Sequence, residues 1–238
     1  MKAETLATLN TERAARRPVI LITDISDGTQ RLMKAADFGA DPLHAELEKQ
    51  LRMGKSAMIE SNGKKLFLNV YAPTARLVII GAVHISQALA PLARSLDYDV
   101  TVVDPRTAFA SPERFPDVQL IAEWPDEALP GLHIDHYTAF VAVTHDPKID
   151  DPALLHAFEK NCFYIGALGS RKTHAKRGDR LKAQGVSEAD FARIKAPIGL
   201  NIGAVSPSEI AVSIMAEITA ELRMPKTIPA ELSKVSNP

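Results

Sequence analysis

The first group of residues suited to ligand chemistry is a glycine turn. Gly81 ends a short apolar run and is followed by Ala82, Val83 and His84, and helical spacing begins directly afterwards. A turn between a strand and a helix offers free backbone N–H groups and the positive end of a helix dipole, which favour an anion. The dinucleotide fingerprint Gly-x-Gly-x-x-Gly requires two more glycines, but Val83 and Ser86 occupy those positions. We therefore predict anion binding here and disfavour a standard NAD site; the alternative is that Gly81 only makes the tight turn of a βαβ unit.

Asp104 and Arg106 follow the next apolar run, Val100 to Val103. An acidic residue at the end of the second strand of such a unit can bind a ribose hydroxyl, and Asp104 suits a polar group of a pterin equally well. The guanidinium of Arg106 offers a two-pronged donor to a phosphate. The alternative interpretation is a strand-ending turn with a surface arginine.

His145 and Asp146 follow a third apolar run and precede Pro147. A His–Asp pair at a strand end can transfer protons or orient a polar ligand. Asp before Pro is also a common turn cap, and this alternative stays open. Two adjacent side chains do not form a coordination shell, so we predict no metal site here.

The segment after the fifth apolar run is strongly basic. Gly169 and Ser170 precede a predicted helix, and Ser170 is suited to cap it. Arg171 and Lys172 place positive charge where free N–H groups already favour an anion. We therefore predict a phosphate-bearing ligand. The alternative is a solvated basic helix face, and the basic residues of this segment are Arg171, Lys172, His174, Lys176 and Arg177.

No catalytic set accompanies these candidates. Cys162 is the single cysteine and begins an apolar strand, so we predict a buried small hydrophobe instead of a nucleophile, and no disulfide within the chain. The sequence contains no Tyr-x-x-x-Lys relay, no Gly-x-Ser-x-Gly elbow and no P-loop. We assign no catalytic residue.

Composition, charge and hydropathy argue against several classes of protein. The chain has 238 residues and a net charge of −1, which argues against a general nucleic-acid or membrane-surface role. No apolar run approaches the roughly 20 residues needed to span a bilayer, and the N-terminus lacks the apolar core of a signal peptide. A cytoplasmic protein is the prediction.

Residues 74–238 alternate between apolar runs and helical patterns. This alternation predicts a Rossmann-like, doubly wound parallel sheet, whose ligands bind beyond the carboxyl ends of the strands, where all the candidates above fall. The predicted strands are 77–80, 100–103, 118–122, 139–144 and 163–167. The predicted helices are 85–96, 151–160, 173–184, 187–194 and 208–223, with a helical turn at 125–129 and a loose tail from Met224.

The pattern of residues 1–73 predicts a small α+β domain. We find no cluster of catalytic residue types in this segment. A polar helical lead is followed by a strand over 18–25 and by a helix that starts at Asp41-Pro42 and stops at Gly54. Strands over 56–60 and 65–71 flank Asn62-Gly63, a strong hairpin signal.

Several segments together resemble the XdhC/CoxI family of maturation factors for molybdenum hydroxylases such as xanthine dehydrogenase. The segments are LVIIGAVHISQALA, VTVVDPR, RFPD, THD, YIGALGSRKTHAKR and PIGLNIGAVSPSEIAVSIMAEI. Two features depart from the family pattern: Val83 replaces a glycine, and residues 1–73 lack the Gly-Ser-x-Pro-Arg and Gly-Ser-Ile-Gly-Gly-Gly-Cys segments. The N-terminal domain is therefore divergent.

The resemblance implies a chaperone that binds molybdenum cofactor (Mo-molybdopterin) and assists its insertion into an apo-enzyme, a role that does not require a reaction of its own. It further implies contact with a cysteine desulfurase and a homodimer. The family's motif positions correspond to Gly81, His84, Asp104, His145, Asp146, Gly169, Ser170, Arg171 and the segment 197–203; the anion-binding interpretation adds Ala82, Arg106 and Lys172. Two alternatives stay open: an NAD(P)-binding oxidoreductase, and a non-catalytic scaffold with a vestigial crevice.

Overall fold

The computed structural model describes residues 1–224. Contacts between residues divide the chain into two units, Met1–Pro73 and Thr74–Pro238. The predicted loose tail lies, beyond Met224, outside the described residues.

The first unit is a four-stranded antiparallel sheet with two α-helices. The strand order is β2-β1-β4-β3. Asn62 and Gly63 both have positive φ (50° and 74°), as the tight β3–β4 hairpin requires, and this predicted turn is confirmed. The elements are α1 (Ala3–Ala14), β1 (Val19–Asp24), β2 (Gln30–Lys34), α2 (His44–Met53), β3 (Ala57–Ser61) and β4 (Lys64–Tyr71).

Two details of this unit differ from the prediction. Strand β2 and a 3₁₀ helix over Ala35–Ala40 were not predicted. Helix α2 begins at His44 instead of Pro42, because the Asp41 carboxylate accepts the Leu43 N–H (2.9 Å) and ends the preceding turn. The predicted stop is confirmed, since Gly54 caps the helix in the left-handed conformation.

The second unit is a six-stranded, all-parallel sheet with the order β10-β9-β8-β5-β6-β7, which confirms the doubly wound Rossmann-like fold. The sixth strand, β10, was not predicted because it has only two residues. The elements are β5 (Arg76–Ile80), α3 (His84–Ser95), β6 (Asp99–Val103), β7 (Gln119–Ile121), α4 (Pro125–Ala128), β8 (Thr138–Ala142), α5 (Pro147–Glu159), β9 (Tyr164–Ala167), α6 (Arg171–Ala183), α7 (Glu188–Phe191), β10 (Ile194–Lys195) and α8 (Pro207–Arg223).

Apolar clusters cover both faces of this sheet. Leu77 and Ile79 of β5 belong to the cluster that contains buried residues of α3 and α8. Val78 and Ile80 belong to the cluster on the opposite face, with buried residues of α4, α5 and α6. An unbroken apolar strand is what a parallel sheet covered on both faces requires.

Helix α5 begins earlier than the sequence suggested. The predicted start at Asp151-Pro152 is wrong: the helix begins at Pro147, and the Asp146 carboxylate caps it by accepting the Lys148 N–H (2.9 Å). Asp146-Pro147 and Asp151-Pro152 are both typical helix starts. The helix begins at the first of them because the chain leaves β8 shortly before it. Pro152 lies inside the helix, and Asp151 is buried.

Candidate functional site

The strand order creates a crevice between β5 and β8. From β5 the chain proceeds outward to β6 and β7, whereas β8, β9 and β10 extend the sheet on the other side. The loops after β5 and β8 therefore diverge at the carboxyl edge of the sheet. This switch point is where open α/β sheets bind ligands.

The Gly81 turn lies on the β5 side of the crevice. Gly81 has φ +113°, and a Cβ there would lie 2.8 Å from the Thr144 Cγ2 atom, so both its conformation and its close approach to the β8 loop require glycine. The buried Ser86 hydroxyl donates to the Gly81 carbonyl. Val83 precedes α3 without capping it by a side-chain hydrogen bond, and His84 at the helix start is exposed. The turn is thus fixed, and no side chain caps the start of α3.

Asp104 is engaged inside the protein. It is fully buried, and its Oδ2 atom accepts the Ala82 N–H (2.7 Å). Arg106 donates through Nε to Oδ1 (2.9 Å) and through Nη2 to Oδ2 (2.7 Å), and its guanidinium lies 4.5 Å from the centre of the Phe109 ring. Burial opposes ionisation of Asp104, but the hydrogen bonds from Arg106 and the Ala82 amide outweigh it and hold the carboxyl pKa below its usual value. Asp104 therefore ties the β6 end to the glycine turn.

The β8 loop separates the roles of His145 and Asp146. Asp146 caps α5, which confirms the turn-capping interpretation of this residue. Among residues 1–224, no hydrogen bond joins the His145 ring to the Asp146 carboxylate. His145 is exposed and has φ +65°, a conformation that is costly for a residue with a side chain. Such strain is frequent in loops that serve ligands.

The start of α6, directly after the β9 loop, presents two basic residues to solvent. Ser170 caps α6 by accepting the Thr173 N–H (3.2 Å), as predicted. Gly169 has φ +136°. Arg171 and Lys172 are exposed. Lys172 and His145 line the same cavity, so the structure brings these two predicted residues together, whereas Arg171 does not line it.

The β5–β6 residues and the β8–β9 residues form two groups along one edge of the sheet. The cavity that His145 and Lys172 line includes none of the predicted residues after β5 and β6. The groups are electrostatically linked: hydrogen bonding to Asp104 is the main cause of the raised pKa of Arg106, and the charges of Asp146 and Asp150 add to it.

Two buried charged residues that line this cavity, Asp150 and Arg177, were not predicted as site residues from the sequence. A solvated helix face was the open alternative for the basic segment that contains Arg177, but Arg177 is only 2% exposed. The spacing of Thr173, Lys176, Arg177 and Arg180 at threes and fours indicates only that they share one face of α6, and it does not indicate which face meets the sheet. A helix that covers a sheet must turn some of its residues inward.

Cys162 is buried and free, consistent with the predicted small hydrophobe. Burial raises its thiol pKa to about 12, so almost no thiolate exists near neutral pH. We expect iodoacetamide at pH 8 to label the native chain at least about 100-fold more slowly than the urea-unfolded chain. Mass spectrometry over time measures both rates, and a Cys162→Ser chain gives the background. Equal rates would contradict the assignment.

No helix within residues 1–224 is long and apolar enough to cross a membrane. In the same range, no three His, Cys, Asp or Glu side chains are grouped in a way that could hold a metal ion.

The strand order and the switch-point crevice define a Rossmann-type α/β domain. Residues 77–218 match the XdhC Rossmann domain, and the chain belongs to this family. The predicted resemblance is thereby confirmed.

Three relatives match about 150 residues each. The chain is 36% identical to YqeB of Escherichia coli (strain K12), with 64% of this chain and 28% of the relative covered. It is 36% identical to a protein of Bacillus subtilis (strain 168) that is named as a probable xanthine dehydrogenase subunit, with 64% and 44% covered. It is 32% identical to the molybdenum cofactor insertion chaperone PaoD of Escherichia coli (strain K12), with 63% and 41% covered. The matched region thus spans less than half the length of each relative.

A crystal structure described as a xanthine dehydrogenase from Bacillus halodurans is similar in fold. It superposes with a TM-score of 0.67 at 25% identity, and the match covers 92% of this chain and 67% of that chain.

Proposed function

We propose that this chain is a maturation factor for a molybdenum hydroxylase, which binds molybdenum cofactor as cargo and assists its insertion into the apo-enzyme. Membership of the XdhC family supports the proposal, as do the names of two relatives, a molybdenum cofactor insertion chaperone and a probable xanthine dehydrogenase subunit. No chemical step is assigned to the chain.

One observation locates the site: the anion-favouring turn at Gly81 and the basic first turn of α6 share the carboxyl edge of one sheet. In this arrangement the cofactor would lie along that edge, held by the backbone N–H group of His84 at the uncapped start of α3 and by the charges of Arg171 and Lys172. The predicted donor Ala82 would support the turn, because its N–H already binds Asp104. His145 would supply a polar contact. The other predicted residues, which are Asp104, Arg106, Asp146, Gly169 and Ser170, would hold the loops in place.

We expect the double substitution Arg171→Ala/Lys172→Ala to raise the Kd for molybdenum cofactor about tenfold or more, because it removes two exposed cations that would attract the phosphate of the cofactor. Anaerobic equilibrium binding with the purified chain measures the change. Lys160→Ala/Lys182→Ala is the matched control, since these exposed lysines lie at the far ends of α5 and α6. An unchanged Kd in the first variant would remove Arg171 and Lys172 from the site.

The same titrations with NADH and NADPH distinguish the alternatives. The strand order is one that dinucleotide-binding domains use. Two features oppose such a site: Val83 replaces the glycine that lets a pyrophosphate approach, and Asp104 already binds Arg106. Binding of a nucleotide without molybdenum cofactor would overturn the proposal in favour of a redox enzyme, and binding of neither would favour a scaffold.

The partner that follows from the proposal is a molybdenum hydroxylase apo-enzyme. The family resemblance also suggests a cysteine desulfurase and a second copy of this chain, and nothing beyond the resemblance supports these two contacts.

A further inference from the structure

A strongly basic cavity of about 310 Å³ lies beside the β8 and β9 loops. Four of its lining residues are lysine or arginine and one is a carboxylate; the lining is His145, Pro147, Asp150, Lys172, Thr173, Lys176, Arg177 and Arg180. Arg180 is neutralised by the buried Asp151, which accepts from its Nε and Nη2 atoms at 2.5 and 3.0 Å. Lys172 and Lys176 are exposed and form no ion pair within residues 1–224. The cavity therefore keeps an excess of positive charge.

Arg177 is the feature of this cavity that most needs a partner. It is 2% exposed, and its Nη2 atom donates to the Leu168 carbonyl (2.8 Å). Its Nε and Nη1 atoms are buried and have no hydrogen-bond partner among the described residues. A buried guanidinium with two unused donors is costly, so the site lacks an acceptor.

Asp150 does not supply that acceptor. It is 1% exposed, and its Oδ1 atom accepts from the Thr144 hydroxyl (2.6 Å). Its Oδ2 atom is buried without a hydrogen-bond partner in the described chain, and no ion pair joins it to Arg177. Burial raises the pKa of Asp150 and lowers that of Arg177, so each charge is held with incomplete compensation.

The missing group must accept hydrogen bonds on one side and satisfy a carboxyl oxygen on the other. A phosphate monoester does both, because its free oxygens accept from a guanidinium and also from the protonated form of Asp150, which burial favours. The volume also admits part of the molecule that carries the phosphate. Lys172 and Lys176 would add charge at the open side.

We propose that this cavity is a phosphate-monoester site in which Arg177 is the anchoring donor. The inference rests on the proposed function only for the identity of the molecule that carries the phosphate. Molybdenum cofactor and NADPH both present a phosphate monoester, and competition separates these sources.

Isothermal calorimetry with inorganic phosphate tests the site, with sodium chloride at equal ionic strength as the reference. We expect Lys172→Ala/Lys176→Ala to weaken phosphate binding about tenfold and Arg177→Met to abolish it. Lys160→Ala/Lys182→Ala removes the same charge from α5 and α6 outside the cavity and is expected to change the affinity by less than about twofold. Circular dichroism establishes that each variant is folded; if Arg177→Met is not, the lysine variant decides.

The proposal is overturned if the natural chain does not bind phosphate, or if the variant without Lys172 and Lys176 binds it as well as the control does. Phosphate that competes with molybdenum cofactor identifies the cofactor as the source. Phosphate that competes with NADPH alone keeps the phosphate site but contradicts the maturation role. The two proposals can therefore fail separately.

Discussion

Replacing Asp104 with alanine is expected to lower the free energy of unfolding of the second unit by about 2–4 kcal/mol. The carboxylate is fully buried and accepts from the Ala82 amide and from the Arg106 guanidinium and amide. Its removal leaves the buried Ala82 N–H unpaired. Arg106 is one-third exposed, so its charge regains some water, which keeps the loss below that of a fully buried ion pair.

Urea unfolding followed by the fluorescence of Trp124 measures this loss, because Trp124 is the single tryptophan and lies in the second unit. Asp179→Ala is the control, since this carboxylate is exposed on α6 and its removal is expected to change stability by less than about 0.5 kcal/mol. A loss for Asp104→Ala no larger than that of the control would show that the carboxylate does not hold the turn.

The difference in unfolding free energy between the natural chain and Asp104→Ala is expected to decrease as the pH falls. The folded-state pKa of Asp104 lies below its unfolded value of about 3.9, so its stabilisation is fully present above that pH and is lost as the pH falls through the folded pKa. The gap between the natural chain and Asp104→Ala is therefore expected to be constant above about pH 5 and to narrow in acid. A gap that widens on acidification would contradict the ion pair.

Gly199→Ala is expected to destabilise the second unit by about 2–4 kcal/mol. Gly199 has φ +90°, and a Cβ there would lie 2.2 Å from the Ser213 Oγ atom and 3.1 Å from the Ile214 amide nitrogen. Movement of the loop is resisted because the Gly199 N–H donates to Glu217 (2.9 Å), which also accepts from the Tyr164 hydroxyl (2.6 Å). The substitution thus adds a clash to an unfavourable backbone conformation.

Gly185→Ala separates these two contributions. Gly185 has nearly the same φ, +88°, and a Cβ there would meet nothing within 4 Å. Its alanine variant is expected to lose only about 1 kcal/mol, the cost of the backbone conformation. Both variants are measured by urea unfolding with Trp124 as the probe. Equal losses would mean that the α8 contact tolerates the methyl group.

The sequence predicted the parallel sheet because its strands are unbroken apolar runs separated by helical spacing. It did not predict β2 or β10: the first is a polar, half-buried strand and the second has two residues, so neither gives an apolar pattern. It also could not place β5 between β6 and β8, since strand order depends on long-range pairing and not on local composition.

The sequence predicted which loops form the site, but not which side chains of the neighbouring helix are buried there. Glycines and caps are local signals, and Gly81, Ser170 and Asp146 take the turn or cap positions that their neighbours indicated. The inward orientation of Arg177 was not predictable from its basic neighbours, because burial of a charge depends on which helix face meets the sheet.

The position of β5 also has a consequence for the order of events during synthesis. Asp99 of β6 pairs with Arg76 at a separation of 23 residues, whereas Thr138 of β8 pairs with Arg76 on the other side at a separation of 62 residues, so the second contact closes a much longer loop. A ribosome releases the chain from its N-terminus, and we therefore expect β5, β6 and β7 to associate while β8 is still unmade. At that stage β5 exposes an unpaired apolar edge, which other chains can join. The nascent protein is thus most vulnerable to aggregation just before the translation of β8.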